Sequence, residues 1–478
     1  MNTPVTSAAI GAPPTAATAP PSHLGHGLQV RHLTMMGLGS AIGAGLFIGT
    51  GKGIAIAGPA ILLSYVIAGV VVILVMRMLA EMAAAIPSSG SFSTYAEVGI
   101  GRWAGFVMGW MYWVTLIMVL GVEITAAAGI IHGWLPGVPQ WVVALVLIGG
   151  FAVVNLVGVR SFGEFEFWFA SLKVAVIIVF LVVGTLLALG VLPGTDPIGT
   201  ANLLGDGGFA PHGFAGIASG LLVVVFAFGG IEIITIAAAE STDPERSIAT
   251  AARSIVWRIL LFYIGSVAIM VLVLPWTSPQ LIDGPFVAVL DLAGIPWLSR
   301  IMGLVVVVAL LSAFNANVYG TSRMAFSLAQ RGDGPPALLR VSRREVPVAA
   351  VLVSVVCAVL SVLLNWMLPD RLLGILLNAV GSSLIVLWVF IAVSQLRLRR
   401  RLEAEGRLGV RMWLFPYLSW AALALLGGFV ALMLSDGEAR GQLASTGVLC
   451  LVLAAIYLVR EWLRTVSART GSEHGAAG

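Results

Sequence analysis

An all-α polytopic membrane fold is expected for this chain: twelve transmembrane helices, in which a 5+5 inverted-repeat core with discontinuous helices 1 and 6 is followed by two C-terminal helices. Three observations predict it. The 478 residues are 59% hydrophobic and 10% charged, with a mean hydropathy of +1.02. A soluble protein of this size needs far more charge to cover its surface. Apolar runs of the ~20 residues that cross a bilayer recur along the whole chain. Two of those runs, five spans apart, are interrupted by glycine at corresponding places. An odd offset inserts the second half upside down relative to the first.

In order, the spans are read at 34–57, 60–84, 101–131, 139–158, 165–190, 214–239, 254–275, 299–329, 347–367, 372–396, 413–434 and 443–462. The third and eighth exceed a perpendicular crossing and are expected to tilt. Residues 1–30 are rich in Ala, Pro, Thr, Ser and Gly, lack the regions of a signal peptide, and read as a disordered cytoplasmic tail. The first repeat then covers 31–190, a connecting loop 191–213, the second repeat 214–396, helices 11 and 12 397–466, and a second disordered tail 467–478. With the N-terminus inside, 21 of the 26 Lys and Arg fall on inner segments. Lys52, Arg300, Arg371 and Arg440 fall outside, and Lys173 lies within a span. That bias predicts a multi-pass protein of the cytoplasmic membrane with both termini cytoplasmic. The net charge of +4 is spread over loops and does not point to nucleic acid. Cys357 and Cys450 lie in apolar runs and read as small buried hydrophobes.

The first break lies in GLGSAIGAGLFIGTGKG at 37–53, the second at Gly229-Gly230 within VVVFAFGGIEIITIA. A helix broken at membrane depth needs partners for its freed backbone, or a cavity. Beyond a break at Gly43-Ala44-Gly45, unpaired N–H groups and the helix dipole would face an anion such as a carboxylate. Carbonyls ending the first halves of both spans would suit an ammonium. Together they would hold a zwitterion with backbone atoms, which explains the glycines, because side chains would block the approach.

Few ionisable groups lie at membrane depth, where each is costly. Glu232 follows the second break, either as part of a gate or proton path or as a hydrogen bond pinning unwound backbone. Glu123, in LGVEITAAAG, either faces a substrate amine, carries a proton, or forms a structural polar pair. Lys173, in FASLKVAVIIVF, either exchanges a proton or snorkels to the inner surface. Phe228, immediately before the second break, is a candidate lid. Glu81, Glu164 and Glu166 lie near inner span ends and are expected to be solvated or paired with loop arginines. Asn315, Asn317 and Tyr319 either line the pathway or bond between helices. No Gly-Lys-Ser/Thr phosphate loop, HExxH or GxSxG motif occurs, so no ATP-driven or enzymatic chemistry, cofactor or metal is expected. The six histidines fall in segments read as tails and loops.

Taken together, several stretches carry a resemblance: GLGSAIGAGLFIGTG at 37–51, GVEITAAAGIIHGWLPGVPQW at 121–141, NLVGVRSFGEFEFWFASLKV at 155–174, FAFGGIEIITIAAAESTDPERSI at 226–248, NANVYGTSRMAFSLAQRGDGP at 315–335 and IAVSQLRLRRRLEAEG at 391–406. Over residues ~31–465 the chain resembles amino acid permeases of the amino acid–polyamine–organocation superfamily, bacterial amino acid transporter branch. It looks most like the γ-aminobutyrate permeases in IEIITIAAAES and SIVWRILLFYIGS. The resemblance implies alternating access and proton symport of an amino acid, with γ-aminobutyrate as first choice. It places the substrate at Ile42, Gly43, Ala44 and Gly45 and at Phe228, Gly229, Gly230 and Ile231, and coupling or gating at Lys173, Glu123 and Glu232. Lys173 matches a lysine that some relatives hold at a sodium-site position. Departures at Ala227 and Ile231 leave other substrates open: aromatic, basic or small neutral amino acids. An exchanger and a non-transporting nutrient sensor are the alternative activities.

Overall fold

Backbone at membrane depth must bond within its own segment, and the helix is what achieves this for a single span. The computed structural model describes residues 28–157, 159–367, 372–435 and 437–475, and among them there are helices, turns and two isolated β-bridges, with no strand. The first span is α1 (Val30–Ala41), a break, a π-helical turn at Gly45–Gly49, and α2 (Thr50–Ala57). Span two is α3 (Ile61–Ala85), followed by a short α4 (Ser91–Gly99). Spans three to five are α5 (Arg102–Trp134), α6 (Gln140–Val157) and α7 (Val159–Ala188). After a four-residue α8 (Ala201–Leu204), span six divides into α9 (Gly213–Ala227) and α10 (Ile233–Ala237). Span seven is α11 (Pro244–Val273), and α12 (Gln280–Asp283) and α13 (Pro285–Leu292) fold over the next connection. Spans eight to twelve are α14 (Pro296–Gln330), α15 (Val348–Met367), α16 (Leu372–Ala404), α17 (Tyr417–Ser435) and α18 (Gly437–Gly475).

The twelve spans and both discontinuities thus stand where the sequence places them. Local chemistry sets the ends. Asp243 caps α11, its carboxylate accepting from the N–H of Arg246 at 3.2 Å, with Pro244 at the first helical position. α4, unforeseen, buries Phe92, Tyr95 and Ala96, a helical i, i+3, i+4 face that packs on α5 and α16. The last helix runs on to Gly475, past residue 466, since no proline follows to stop it. Residues 1–27 and 476–478, most of the first expected tail and the end of the second, lie outside the described residues.

The long α5 and α14, 33 and 35 residues, pack along each other at the centre. At about 1.5 Å per residue each is ~50 Å long, well beyond the ~30 Å apolar layer. α1 lies against α7, α11 and α14, and α9 against α3 and α16. The apolar stretch of span eight is 72% buried, that of span twelve 11%, so span twelve presents its leucines and valines to lipid.

Candidate functional site

The two breaks meet. A Cβ built on Gly45 would stand 2.4 Å from the Cα of Ala227, so the start of the π turn and the end of α9 touch backbone to backbone. Gly230, at φ +95°, fills the matching place on the other side: a Cβ there would lie 2.6 Å from the carbonyl oxygen of Ser40. Only glycine meets both demands without strain. Ser40 Oγ donates to the Gly230 carbonyl at 2.8 Å and ties α1 to the turn after α9.

Each break satisfies its backbone differently. The Ala44 N–H is shared between both carboxylate oxygens of Glu123 from α5, at 3.1 Å each. Gly43 is a glycine because a Cβ would meet Glu123 Oε1 at 2.4 Å. The carbonyl of Ala41, the last residue of α1, accepts from the Tyr263 hydroxyl at 2.5 Å. At the second break the Gly230 N–H donates to Glu232 Oε2 at 2.9 Å, and Trp388 Nε1 donates to Glu232 Oε1 at 3.0 Å.

Between the breaks lies a cavity of about 20 Å³, room for about one water molecule. Its polar lining is Ser40, Tyr112, Thr115, Glu123 and Asn317; its apolar lining includes Leu116, Val119, Phe226, Val380 and Leu384. The Tyr112 hydroxyl and Asn317 Oδ1 are buried there without a hydrogen-bond partner, groups a polar ligand would satisfy. A larger cavity, about 690 Å³, is lined by Phe47 and Ile48 of the π turn and by Trp134, Phe286 and Arg300 among others, and includes none of residues 42–45 or 228–232.

Of the residues singled out from sequence, Gly45, Gly229, Gly230, Glu123 and Asn317 line the small cavity. Ile42, Gly43 and Ala44 form the turn behind it and do not line it. Phe228 faces elsewhere: it stacks on Tyr263 with ring centroids 4.9 Å apart and meets Tyr65 edge-on at 5.9 Å. Ile231 and Glu232 share Phe228's side, with Trp388 and Val72. The phenylalanine at the cavity is Phe226, two residues earlier. In this structure Phe228 therefore does not cover the cavity: it keeps the helical register of α9, its N–H still donating to the Val224 carbonyl at 3.2 Å, and two residues along a helix put it on the side opposite Phe226. Tyr112 was not foreseen either; one more tyrosine in an aromatic-rich span carries no signal of its own.

Lys173 does not snorkel. It is wholly buried and donates from Nζ to the carbonyl oxygen of Gly39 in α1 at 2.5 Å. The three acids expected at span ends separate. Glu164 is partly exposed and pairs with Arg31 at 2.5 Å and with His32 at 3.1 Å. Glu81 is wholly buried, held by Arg399, by Gln395 at 2.8 Å and by the Met412 N–H at 2.5 Å. Glu166 is neither solvated nor paired with an arginine: it is wholly buried and accepts from Ser312 Oγ at 2.7 Å. A helical α7 that packs on both α1 and α14 turns this position inward. His32, read as a loop residue, lies in the first turn of α1 and is buried. Asn315 accepts from Asn155 Nδ2 at 2.8 Å between α14 and α6. Arg323 pairs with Glu240 at 2.9 Å, with its guanidinium 4.0 Å from the centre of the Tyr319 ring.

Known proteins fit this arrangement. The family model described as "Amino acid permease" matches residues 32–467. The aromatic amino acid transport protein AroP of Corynebacterium glutamicum is 53% identical, over 92% of this chain and 96% of its own. The γ-aminobutyric acid permease of Bacillus subtilis is 43% identical over 90% of this chain and 92% of its own, and that of Escherichia coli 41% over 93% and 96%. Among solved structures, a manganese transporter of Eremococcus coleocola superposes with a TM-score of 0.54 at 14% identity, covering 92% of this chain and 95% of its own, which is a likeness of fold. The chain belongs to the amino acid permease family, and is a multi-pass membrane transporter of amino acids rather than an enzyme.

Proposed function

We propose that the protein imports an aromatic amino acid across the cytoplasmic membrane, driven by protons, with both termini in the cytoplasm. The carrying observation is the Ala44 N–H at the start of a half-helix, already holding a carboxylate, that of Glu123. An incoming substrate carboxylate suits the same donor and the same dipole. It would displace Glu123, and a buried carboxylate that loses its donor needs a new partner or a proton. Binding and protonation are thereby linked. The substrate ammonium would meet the carbonyls that end α1, and Leu116, Val119, Phe226, Val380 and Leu384 would take the side chain. Because the cavity has room for only about one water, entry requires the breaks to part, which fits alternating access.

The aromatic choice is supported by the 53% identity to a protein named for aromatic amino acids and by the apolar lining. γ-Aminobutyrate, the first choice from sequence, is the second reading, favoured by relatives of that name at 41–44% identity. It has no side chain to fill the apolar face. Protons rather than sodium are favoured by Lys173, whose ammonium already occupies the Gly39 carbonyl.

Uptake of labelled phenylalanine in proteoliposomes, with a pH gradient and no sodium, tests the reading. Accumulation should be competed by tyrosine and tryptophan and much less by γ-aminobutyrate. Competition by γ-aminobutyrate alone would move the assignment to the second reading. A strict sodium requirement without proton flux would remove the coupling scheme, and counterflow unaffected by the gradient would point to an exchanger.

A further inference from the structure

We propose that Glu166 is the proton partner of Lys173, the buried carboxylate that takes the ammonium's proton on its way to the end of the bundle where α1 and α7 begin. The inference rests on the reading of Lys173 as a coupling group. Glu166 and Lys173 lie seven residues apart on α7, two turns along one face. Both press on the same residue of the first span: Lys173 Nζ donates to the Gly39 carbonyl at 2.5 Å, and a Cβ at Gly39 would stand 2.2 Å from Glu166 Oε1. Gly39 is what lets the carboxylate close on α1.

The surroundings offer Glu166 no permanent counter-charge. On α14, Ser312 donates to Oε1 at 2.7 Å and Asn315 stands beside it; both are uncharged. On α1, His32 packs against Gly163, at the start of α7. On α5, Glu123 acts on Lys173 and is itself held at Ala44. Glu166 Oε2 is buried with no hydrogen-bond partner. The other wholly buried acids differ. Glu81 and Glu240 each hold an arginine, and Glu232 holds two N–H donors. A buried carboxylate without such support is expensive when it stays ionised. One that alternates between acid and carboxylate has a reason to stand there.

Lys173 and Glu166 make no direct ion pair, each being held by its own partner, so the transfer runs through a bridging water: the Lys173 N–H bond breaks, the water passes a proton on, and a Glu166 O–H bond forms, leaving a neutral amine and a carboxylic acid. The acid then releases its proton toward the end of the bundle where α7 begins, at the level where Glu164, on the opposite face of α7, is already partly exposed. Loss of the ammonium weakens its hold on the Gly39 carbonyl, and α1 is freed to move.

The test uses the full-length protein in proteoliposomes with labelled phenylalanine, or γ-aminobutyrate if that is the transported substrate. Glu166→Gln should retain counterflow between equal pools and lose pH-gradient-driven accumulation at least tenfold. Glu166→Asp should restore accumulation with a shifted pH profile. Wild-type accumulation and pH profile in Glu166→Gln would overturn the proposal, as would parallel loss of counterflow and accumulation in a normally folded Glu166→Gln that Glu166→Asp does not rescue. If Glu166→Gln fails to fold, Ser312→Ala, which keeps the acid and removes the donor to Oε1, should shift the pH profile; an unshifted profile also overturns it. A wild type indifferent to the pH gradient would instead remove the coupling reading, whatever Glu166 variants do.

Discussion

The two broken spans solve one problem in two ways. Span six satisfies its freed N–H from within its own turn: Glu232 turns back to the Gly230 N–H two residues away, and Trp388 of α16 fixes the carboxylate from behind. Span one borrows: the Ala44 N–H is held by Glu123, 79 residues along the chain and on another helix. A group lent by a neighbouring helix is withdrawn when that helix moves, or when a better acceptor arrives. A group belonging to the turn itself is not. The second break is thus built as a fixed edge and the first as an exchangeable one, and the contrast makes span one the place where binding is felt.

The most damaging way to break this arrangement is at the crossing itself. Gly45→Val places branched carbons where the Ala227 Cα stands 2.4 Å from even a Cβ. The two backbones must part, and misplacement of about 1 Å at a site can cost on the order of 100-fold. Uptake should be abolished with the protein still present in the membrane, by transport assay beside immunodetection. Near-normal uptake would sink the backbone site.

The two acids come next, and they should fail differently. In Glu232→Gln one side-chain oxygen cannot serve both the Gly230 and Trp388 N–H groups, and the new NH₂ opposes a donor. The loss is about 1–3 kcal/mol, visible as a lower melting temperature of the solubilised protein. In Glu123→Gln the amide oxygen still accepts from Ala44, so the melting temperature should hold, but titration is lost. Uptake should fall about tenfold, roughly 1.4 kcal/mol, and lose its pH dependence. If both variants lose stability alike, the distinction between a fixed and an exchangeable edge is wrong. Trp388→Phe is milder: it removes one donor from Glu232 and should cost about 1 kcal/mol of stability, with little change in KM for the substrate.

How much of this was legible in the sequence depends on distance along the chain. The breaks at Gly43-Ala44-Gly45 and Gly229-Gly230 were legible because glycine is conspicuous in an apolar run. The return of Glu232 to Gly230 was legible as an alternative because it is local. The hold of Glu123 on Ala44 was not, since two helices must pack before 79 residues close to 3.1 Å. Lys173 and Glu166 illustrate the same limit. Counted from the ends of span five both seem near a surface, yet packing against α1 and α14 buries them. The short α4, α12 and α13 escaped because nine, four and eight residues are too few for a periodic pattern to stand out.

The smallest effect concerns two phenylalanines that sequence alone does not rank. Phe228 still bonds its N–H to the Val224 carbonyl, and a step of two residues along a helix turns its side chain by roughly 200° from Phe226, onto Tyr263 and Tyr65. Phe226 still belongs to α9 and lines the cavity. Phe228→Leu gives up aromatic contacts of about 0.5–1.5 kcal/mol and keeps most of the volume. It should lower the melting temperature slightly and leave KM within about twofold, a difference under 0.5 kcal/mol. Phe226→Leu should do the reverse, holding stability while raising KM for an aromatic substrate more than for γ-aminobutyrate. A rise in KM confined to Phe228→Leu would show that Phe228 swings over the substrate once the breaks part, and would make the second break the mobile edge.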